Sequence, residues 1–422
     1  MSDALAAIGA KVRGRESFDR GLFLAMSLLG VIGAGMIYSA TRTPLVDAGY
    51  NPHYYLERQG LFVVIGIVVM YAISRFDYRR FEIVATPLYV IALFALAGVF
   101  VVGQSSLGAQ RWYNLGLIQI QPSEFTVLIL VLAIATYVHR RPDGLTMYDV
   151  TRILTMGAAP LVMIVLQPDL GTAIIIVLVV AAMMVIAGVP PRFMTFLAVV
   201  GSLGVTAAIY FDLLHKYQVD RFVSFLNQNS TNPAMAPLIY EVDNAKSAIG
   251  SGGWHGAGLF RGLQTVLGYV PEQRTDFIFT AIGEQLGFIG SVVIILLLAF
   301  VAWRMYAIGR AAKDVMGRVL CLGVFIFFAF SCFENIGMTM GIMPVTGIPL
   351  PFLSYGGSAS LVFFSAGGLV LSVSRRMGSE WIRCSTTRPT TRPTPVASRP
   401  PTGRPPTSRP TRSSSRTRPT SA

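Results

Sequence analysis

Long apolar runs near residues 20–40, 56–74, 81–102, 122–138, 152–167, 169–187, 193–210, 276–303, 315–340 and 353–374 alternate with short polar stretches. At about 1.5 Å of rise per residue, roughly 17–25 apolar residues cross a bilayer core of about 30 Å as a helix. The fifth and sixth runs are short and joined only by Gln167-Pro168-Asp169, but together they are too long for a single crossing. The expected fold is therefore an all-α polytopic membrane protein of about ten transmembrane helices. Lys11, Arg13, Arg15 and Arg20 flank the first run, yet it is too long and lacks a small-x-small site. It reads as a span and not as a cleaved leader.

Two stretches break the rhythm. Residues 211–275 form a polar segment far longer than an ordinary connection, with glycines, aromatics and mixed charge, so a folded loop carrying function is expected. Before the last run, Pro344 to Ser358 is rich in Pro and Gly. Such broken backbone is tolerated at membrane depth only where it is buried in protein or lines a wet cavity.

Composition agrees: the chain is 53 % hydrophobic and 13 % charged, where soluble proteins carry about 25 % charged residues. The net charge of +13 would suggest nucleic acid in a soluble protein. Here it divides into topology and tail. Eight arginines lie in the Arg/Pro/Thr/Ser-rich stretch 385–422, which has nothing to bury and should be disordered. That tail either touches anionic lipid headgroups or is a solvated linker. Counting inner segments from a cytoplasmic N-terminus gives Lys11, Arg13, Arg15, Arg20, Arg75, Arg79, Arg80, Arg140, Arg141, Arg152, Arg192, Arg304, Arg310, Lys313, Arg318, Arg375 and Arg376. The short outer loops hold only Arg42, Arg58 and Arg111. By the positive-inside rule both termini are cytoplasmic and the loop between helices seven and eight is extracytoplasmic. The expected organisation is a cytoplasmic segment 1–19, a membrane domain 20–376 containing the outer loop 211–275, and a basic tail 377–422. Cys321, Cys332 and Cys384 are too far apart to pair and have no metal spacing.

Ionisable groups at membrane depth are costly, which makes Glu124, Asp169, Glu284 and Glu334 candidates for function. The outer-loop acids are Asp212, Asp220, Glu241, Asp243, Glu272 and Asp276. Asp276 lies where the loop enters an apolar helix. Partial desolvation there would raise its basicity, while a helix N-terminus would oppose this. It is either a functional carboxylate or an N-cap, a role Thr275 could fill equally. Glu284 falls on a different helix face and reads as a buried structural group. Arg111 beside Trp112 either holds a phosphate or headgroup or anchors at the interface. Pro122, followed by Ser123 and Glu124, marks a helix start, and Asp169 is a substrate group or a cap. The glycine-dense stretch 248–258 matches no nucleotide-binding pattern. It permits close backbone approach to a ligand or forms a flexible turn. Lys246, Arg261 and Arg274 are available to hold a pyrophosphate.

Taken together, GAQRWYNLG (108–116), QPSE (121–124), QPDLGT (167–172), AIGSGG (248–253), PEQRTDFIF (271–279), GEQLGFIG (283–290) and MPVTGIPLPFLSYGGS (343–358) resemble the SEDS family (shape, elongation, division and sporulation). The likeness is to its RodA-type members more than to its FtsW-type members. It spans about residues 20–376. The resemblance implies a peptidoglycan glycosyltransferase that polymerises lipid II during cell-wall elongation, outside the plasma (inner) membrane of a bacterium. It would work with a class B penicillin-binding transpeptidase, on undecaprenyl pyrophosphate-linked glycan, without nucleotide or nucleic acid. It implies Asp276 as general base, with Trp112 and Glu124 at positions on which the family depends. Gln121, Arg111, Asp169, Lys246, Arg261 and Arg274 are the further substrate-binding candidates. A divalent cation (Mg or Mn) or basic side chains would compensate the leaving pyrophosphate. Many relatives carry Lys where this chain has Val127, so Glu124 must find another partner here. The rival readings are a lipid flippase and a non-catalytic scaffold for the transpeptidase.

Overall fold

The computed structural model describes residues 18–106, 109–114, 116, 119–142, 144–211, 216–228, 232 and 235–386. The predicted N-terminal segment, Asp212 and the Arg/Pro/Thr tail beyond residue 386 lie outside them. The helices are α1 Arg20–Asp47, α2 Tyr54–Arg75, α3 Phe81–Val102, α4 Pro122–His139, α5 Met147–Leu166, α6 Leu170–Ile186, α7 Pro191–Tyr210, α8 Lys216–Leu226, α9 Ala236–Ser251, α10 Leu263–Val266, α11 Ile278–Ala311, α12 Val315–Thr339 and α13 Gly357–Thr386. Among the described residues eight helices are long and apolar enough to span a membrane, and α6 and α7 supply two shorter apolar stretches.

Two departures from the expected fold stand out. The chain is not purely α: β1 Gln104–Ser106, β2 Ala109–Asn114 and β3 Gln119–Ile120 form a small antiparallel sheet in the α3–α4 connection. Aromatic residues of β2 favour a pleated surface, which the apolar-run pattern did not register. The last helix also continues through Thr386, past the predicted start of the tail at 377. No proline interrupts the chain until Pro389, so nothing stops the helix at the membrane exit.

Helix starts follow local chemistry. Pro122 occupies the first turn of α4. Thr146 and Asp149 form a reciprocal capping box on α5. Asp19 accepts from the Leu22 amide at 2.9 Å and Asp314 from the Gly317 amide at 3.0 Å, capping α1 and α12. The most enclosed spans are α13, α4 and α12, with 83 %, 67 % and 61 % of their apolar windows buried, against 22 % for α3. The first three therefore form the centre, and α3 faces lipid. Lipid tails are as apolar as leucine, so packing between spans depends on close approach. The Phe364 ring of α13 occupies the space that side chains at Gly30 and Gly66 would need.

One end of the bundle is tied by ion pairs: Arg304 with Asp19, Arg376 with Asp77 at 3.3 Å, Arg140 with Glu82 at 2.8 Å and Arg141 with Asp149 at 2.7 Å. Tyr78 donates a hydrogen bond to Asp314 at the same end. The sheet, α8–α10 and the 343–356 segment lie at the other.

The helix α11 is broken at Gly287, which has φ 68° and ψ −165°. This backbone region is open essentially to glycine alone. The break frees backbone groups that loop 253–258 takes up. Ala257 and Gly258 amides donate to the Glu284 and Gln285 carbonyls at 2.9 and 3.0 Å, and the Phe288 amide donates to the Gly253 carbonyl at 2.8 Å. The glycines of this stretch serve that contact: a Cβ at Gly256 or Gly252 would strike the α11 backbone. Gly287→Ala should cost about 1–3 kcal/mol and lower the melting temperature in detergent. Gly35→Ala, exposed on α1 with no atom within 4 Å of a new Cβ, should leave melting essentially unchanged.

Candidate active site

The Pro/Gly-rich segment Met343–Gly356 lacks helix and strand, and it is buried. Val345, Thr346, Ile348, Leu350, Phe352, Leu353 and Ser354 are each 8 % exposed or less, so the strap lies inside protein as expected of broken backbone at membrane depth. Its polar groups are met by side chains. Asn335 Nδ2 donates to the Ile348 carbonyl at 2.8 Å, Arg221 to the Val345 carbonyl at 2.8 Å, and Ser354 Oγ accepts from the Leu350 amide at 2.8 Å. Thr346 donates to the buried Glu334 at 3.0 Å. Gln59 on α2 donates to Ser360 at 3.0 Å and accepts from the Gly356 amide at 3.3 Å.

Asp276 stands against this strap. It does not cap α11: the capping position is Phe277, which makes no side-chain hydrogen bond, and Thr275 is turned back onto Glu272. Glu272 adopts a left-handed φ of 44°, and its carbonyl accepts the Thr275 and Asp276 amides at 3.1 Å each. Asn335 Nδ2 also donates to the Asp276 carbonyl at 2.7 Å, so one side chain fixes both strap and aspartate. Opposite the carboxylate is Gly347, where a Cβ would lie 3.2 Å from Asp276 Oδ2. Glycine leaves that approach clear. Burial, reinforced by the negative charge of Glu272, pushes the Asp276 carboxyl up to about 6; Thr275 and Arg221 act in the opposite direction. Burial raises Glu241 as well, again opposed by Arg221. Asp276 is thus a poised carboxylate held by its backbone, with no close ion pair among the described residues. Arg221 and Asn335 are neighbours of Asp276 that spacing along the chain did not reveal; each belongs to an unremarkable stretch of α8 or α12.

The other candidates fall into separate groups. Arg111 Nε donates to the Gln167 carbonyl at 3.1 Å, a second nitrogen donates to the Pro168 carbonyl, and a third lies 3.9 Å from Asp169. Arg111 is committed to the α5–α6 turn. Asp169 accepts from Gln121 at 3.0 Å, Ser123 at 3.2 Å and Thr172 at 2.9 Å while capping α6, so it is both a cap and a hub joining sheet, α4 and α6. Trp112 lies on β2 across from Gln104. Glu124, at the start of α4, has Asp169 and Ser358 as electrostatic neighbours. Val127 is 1 % exposed, and one Glu124 carboxylate oxygen is buried without a hydrogen-bond partner. This group reaches the Asp276 group through the strap: a Cβ at Gly171 would lie 3.1 Å from the Thr346 carbonyl. Lys246 donates to Gln228 at 2.7 Å and lies 3.5 Å from Asp243. Arg274 lies 3.7 Å from Glu272 and over the Tyr55 ring, while Arg261 is exposed. Among the described residues no group of three His, Cys, Asp or Glu side chains is arranged to hold a metal.

Glu284 is structural, as its helix face suggested. It is 1 % exposed and accepts from the Gln264 amide at 2.6 Å and from the Thr265 amide and hydroxyl at 2.9 and 2.6 Å, pinning α10 to α11.

Residues 19–378 match the family model FTSW_RODA_SPOVE, described as cell cycle protein. Curated relatives include the peptidoglycan glycosyltransferase MrdB of Escherichia coli K12, 34 % identical over 84 % of this chain and 93 % of that protein. Stage V sporulation protein E of Bacillus subtilis is 34 % identical over 86 % and 98 %. A probable peptidoglycan glycosyltransferase FtsW of Trichlorobacter lovleyi is 32 % identical over 85 % and 93 %. Among solved structures, a chain from a study of how a peptidoglycan synthase complex coordinates polymerization and crosslinking superposes with TM-score 0.73. It is 28 % identical and covers 86 % of this chain and 98 % of that one. The rod shape determining protein RodA of Thermus thermophilus gives 0.62 at 27 % identity, over 85 % and 97 %.

Glu284→Gln places an amide against three donors and should destabilise the folded protein by about 2–4 kcal/mol. The check is a thermal melt together with limited proteolysis, which should expose new cleavage between residues 258 and 275.

Proposed function

The chain belongs to the FtsW/RodA/SpoVE cell cycle protein family, and from that premise we propose how its outer-end site works. It is a peptidoglycan glycosyltransferase of the bacterial inner membrane, acting with a class B penicillin-binding transpeptidase. Asp276 is the general base. The observation that carries this is the Asp276 carboxyl itself: uncapping, facing a glycine, and raised by burial into the range where a carboxylate accepts protons effectively near neutrality. It removes the proton from the sugar 4-hydroxyl of one lipid II molecule. The freed oxygen attacks the anomeric carbon of the growing strand, and the bond to undecaprenyl pyrophosphate breaks with inversion. The proton remains on Asp276 until it passes to solvent.

The ion-paired end of the bundle carries the arginine excess. The positive-inside rule puts it in the cytoplasm and puts Asp276 at the extracytoplasmic face, where lipid II is polymerised. Arg221, beside Asp276, together with Lys246, Arg261 and Arg274 of the outer loop are the basic groups offered to the leaving pyrophosphate. Arg111, spent on the α5–α6 turn, shapes the site without binding phosphate. With no three-ligand protein cage among the described residues, a divalent cation would have to be held by the substrate diphosphate and one or two carboxylates, as magnesium usually is. The likeness of the 344–349 segment to RodA-type members favours service in elongation.

Asp276→Asn should lower lipid II polymerisation by the purified transpeptidase complex about 10²–10⁴-fold with an unchanged melting temperature. Near-normal turnover would remove Asp276 from the mechanism. In the unmutated enzyme kcat/KM should fall as pH drops through about 6, because the base is then protonated. Since the charge of Glu272 helps hold that value up, Glu272→Gln should move the acid limb to lower pH.

A further inference from the structure

A cavity of about 520 Å³ opens between α3, α4 and α5 at the arginine-rich end, remote from Asp276. It is of the size that holds small ligands between helices of bundles. Its floor and one wall come from a single stripe of α4, since Ala133, Thr136, Tyr137 and Arg140 recur at helical spacing. Ala133 and Thr136 are buried, whereas Thr86 and Arg152 at the rim are exposed. The far wall is fixed by Tyr89, whose hydroxyl donates to the Met156 carbonyl at 2.7 Å. Because Thr86 lies on α3, the least enclosed of the long spans, the cavity opens sideways to the bilayer as well as toward the helix ends.

Two features of this cavity ask for a ligand. The Thr136 hydroxyl is buried with no hydrogen-bond partner, although its residue is only 3 % exposed. An unmet buried hydroxyl is costly unless something accepts from it. At the mouth three guanidinium groups meet two carboxylates. Arg140 pairs with Glu82, Arg141 with Asp149, and Arg152 donates to the Tyr148 hydroxyl at 3.0 Å. Among these described rim residues the excess is one positive charge, carried by groups whose fork geometry suits phosphate oxygens. Thr136 lies four residues before Arg140 on the same face, so its hydroxyl is about 6 Å deeper than the arginine Cα.

We propose that this cavity binds one anionic phospholipid of the cytoplasmic leaflet. Its phosphate sits among Arg140, Arg141 and Arg152, an ester carbonyl accepts from Thr136, and an acyl chain passes over Ala133 and leaves beside Thr86. Basic pockets between spanning helices on this side of a membrane are a recurring way to hold acidic headgroups. The sideways opening favours a lipid over a soluble phosphate, and the single excess charge matches a phosphodiester headgroup.

The test uses the full chain, purified and delipidated in detergent, with native mass spectrometry and thermal melting as readouts. Phosphatidylglycerol should be retained at one molecule per chain, at least tenfold better than phosphatidylcholine, and should raise the melting temperature. Arg152→Gln should weaken retention at least fivefold, and Thr136→Val about threefold. Neither should change melting in the absence of lipid. If Arg152→Gln fails to fold, Thr136→Val decides alone. Equal retention of the two lipids, or retention untouched by the variants, would overturn the proposal. So would displacement by inorganic phosphate at equal concentration, which marks a soluble-anion site, or preferential capture of lipid II, which marks a precursor site.

Discussion

The structure depends on one constraint: within a membrane every backbone amide and carbonyl must find a partner in the protein, because lipid offers none. Most of the chain meets it with uninterrupted helices. The two places where helix is abandoned, the break at Gly287 and the strap 343–356, are therefore the places where the rest of the fold is most tightly specified. Loop 253–258 supplies the donors and acceptors that the break releases. Asn335, Arg221, Gln59 and Ser354 do the same for the strap. Irregular backbone costs hydrogen bonds but allows a carboxylate and a glycine to face each other at the bundle end, which a regular helix pair would not.

Electrostatics differs between the two ends of the bundle. At the arginine-rich end the described acids meet bases: Asp19 with Arg304, Asp77 with Arg376, Glu82 with Arg140, Asp149 with Arg141. At the other end Asp276, Glu241 and Glu272 face one another, with Arg221 near enough to temper them but bonded to the strap. The ion pairs of the first end stabilise and orient the helices; at the other, Asp276 is a buried carboxylate whose pKa burial raises. The contrast separates anchoring from chemistry.

Several readings of isolated residues changed once neighbours were known. Asp276 could have been a cap, and the helix turned out to begin two residues later without a side-chain cap. Arg111 could have been free in its loop, and it is bonded to the α5–α6 turn. Gly252 and Gly256 of the 248–258 stretch could have approached a ligand, and they approach α11. Each of these residue types serves either role with the same local sequence. The choice rests on which distant segment arrives beside it.

Approximate span positions, the alternation of basic loops, the helix start at Pro122 and the structural nature of Glu284 were legible along the chain. Apolar length, charge and capping are local properties, set by residues within a few turns of one another. The family was legible too, because its motifs are long and ordered. The small sheet and the continuation of α13 through Thr386 were not: two- to six-residue strands and a missing helix stop leave little mark on an apolar-run pattern. Only the tertiary structure decided that Asn335 holds Asp276 and the strap together, that Arg221 belongs to the site and that Thr136 is left without a partner over a cavity. Those facts are contacts across dozens or hundreds of residues, and packing, not sequence spacing, determines which polar groups end up satisfied.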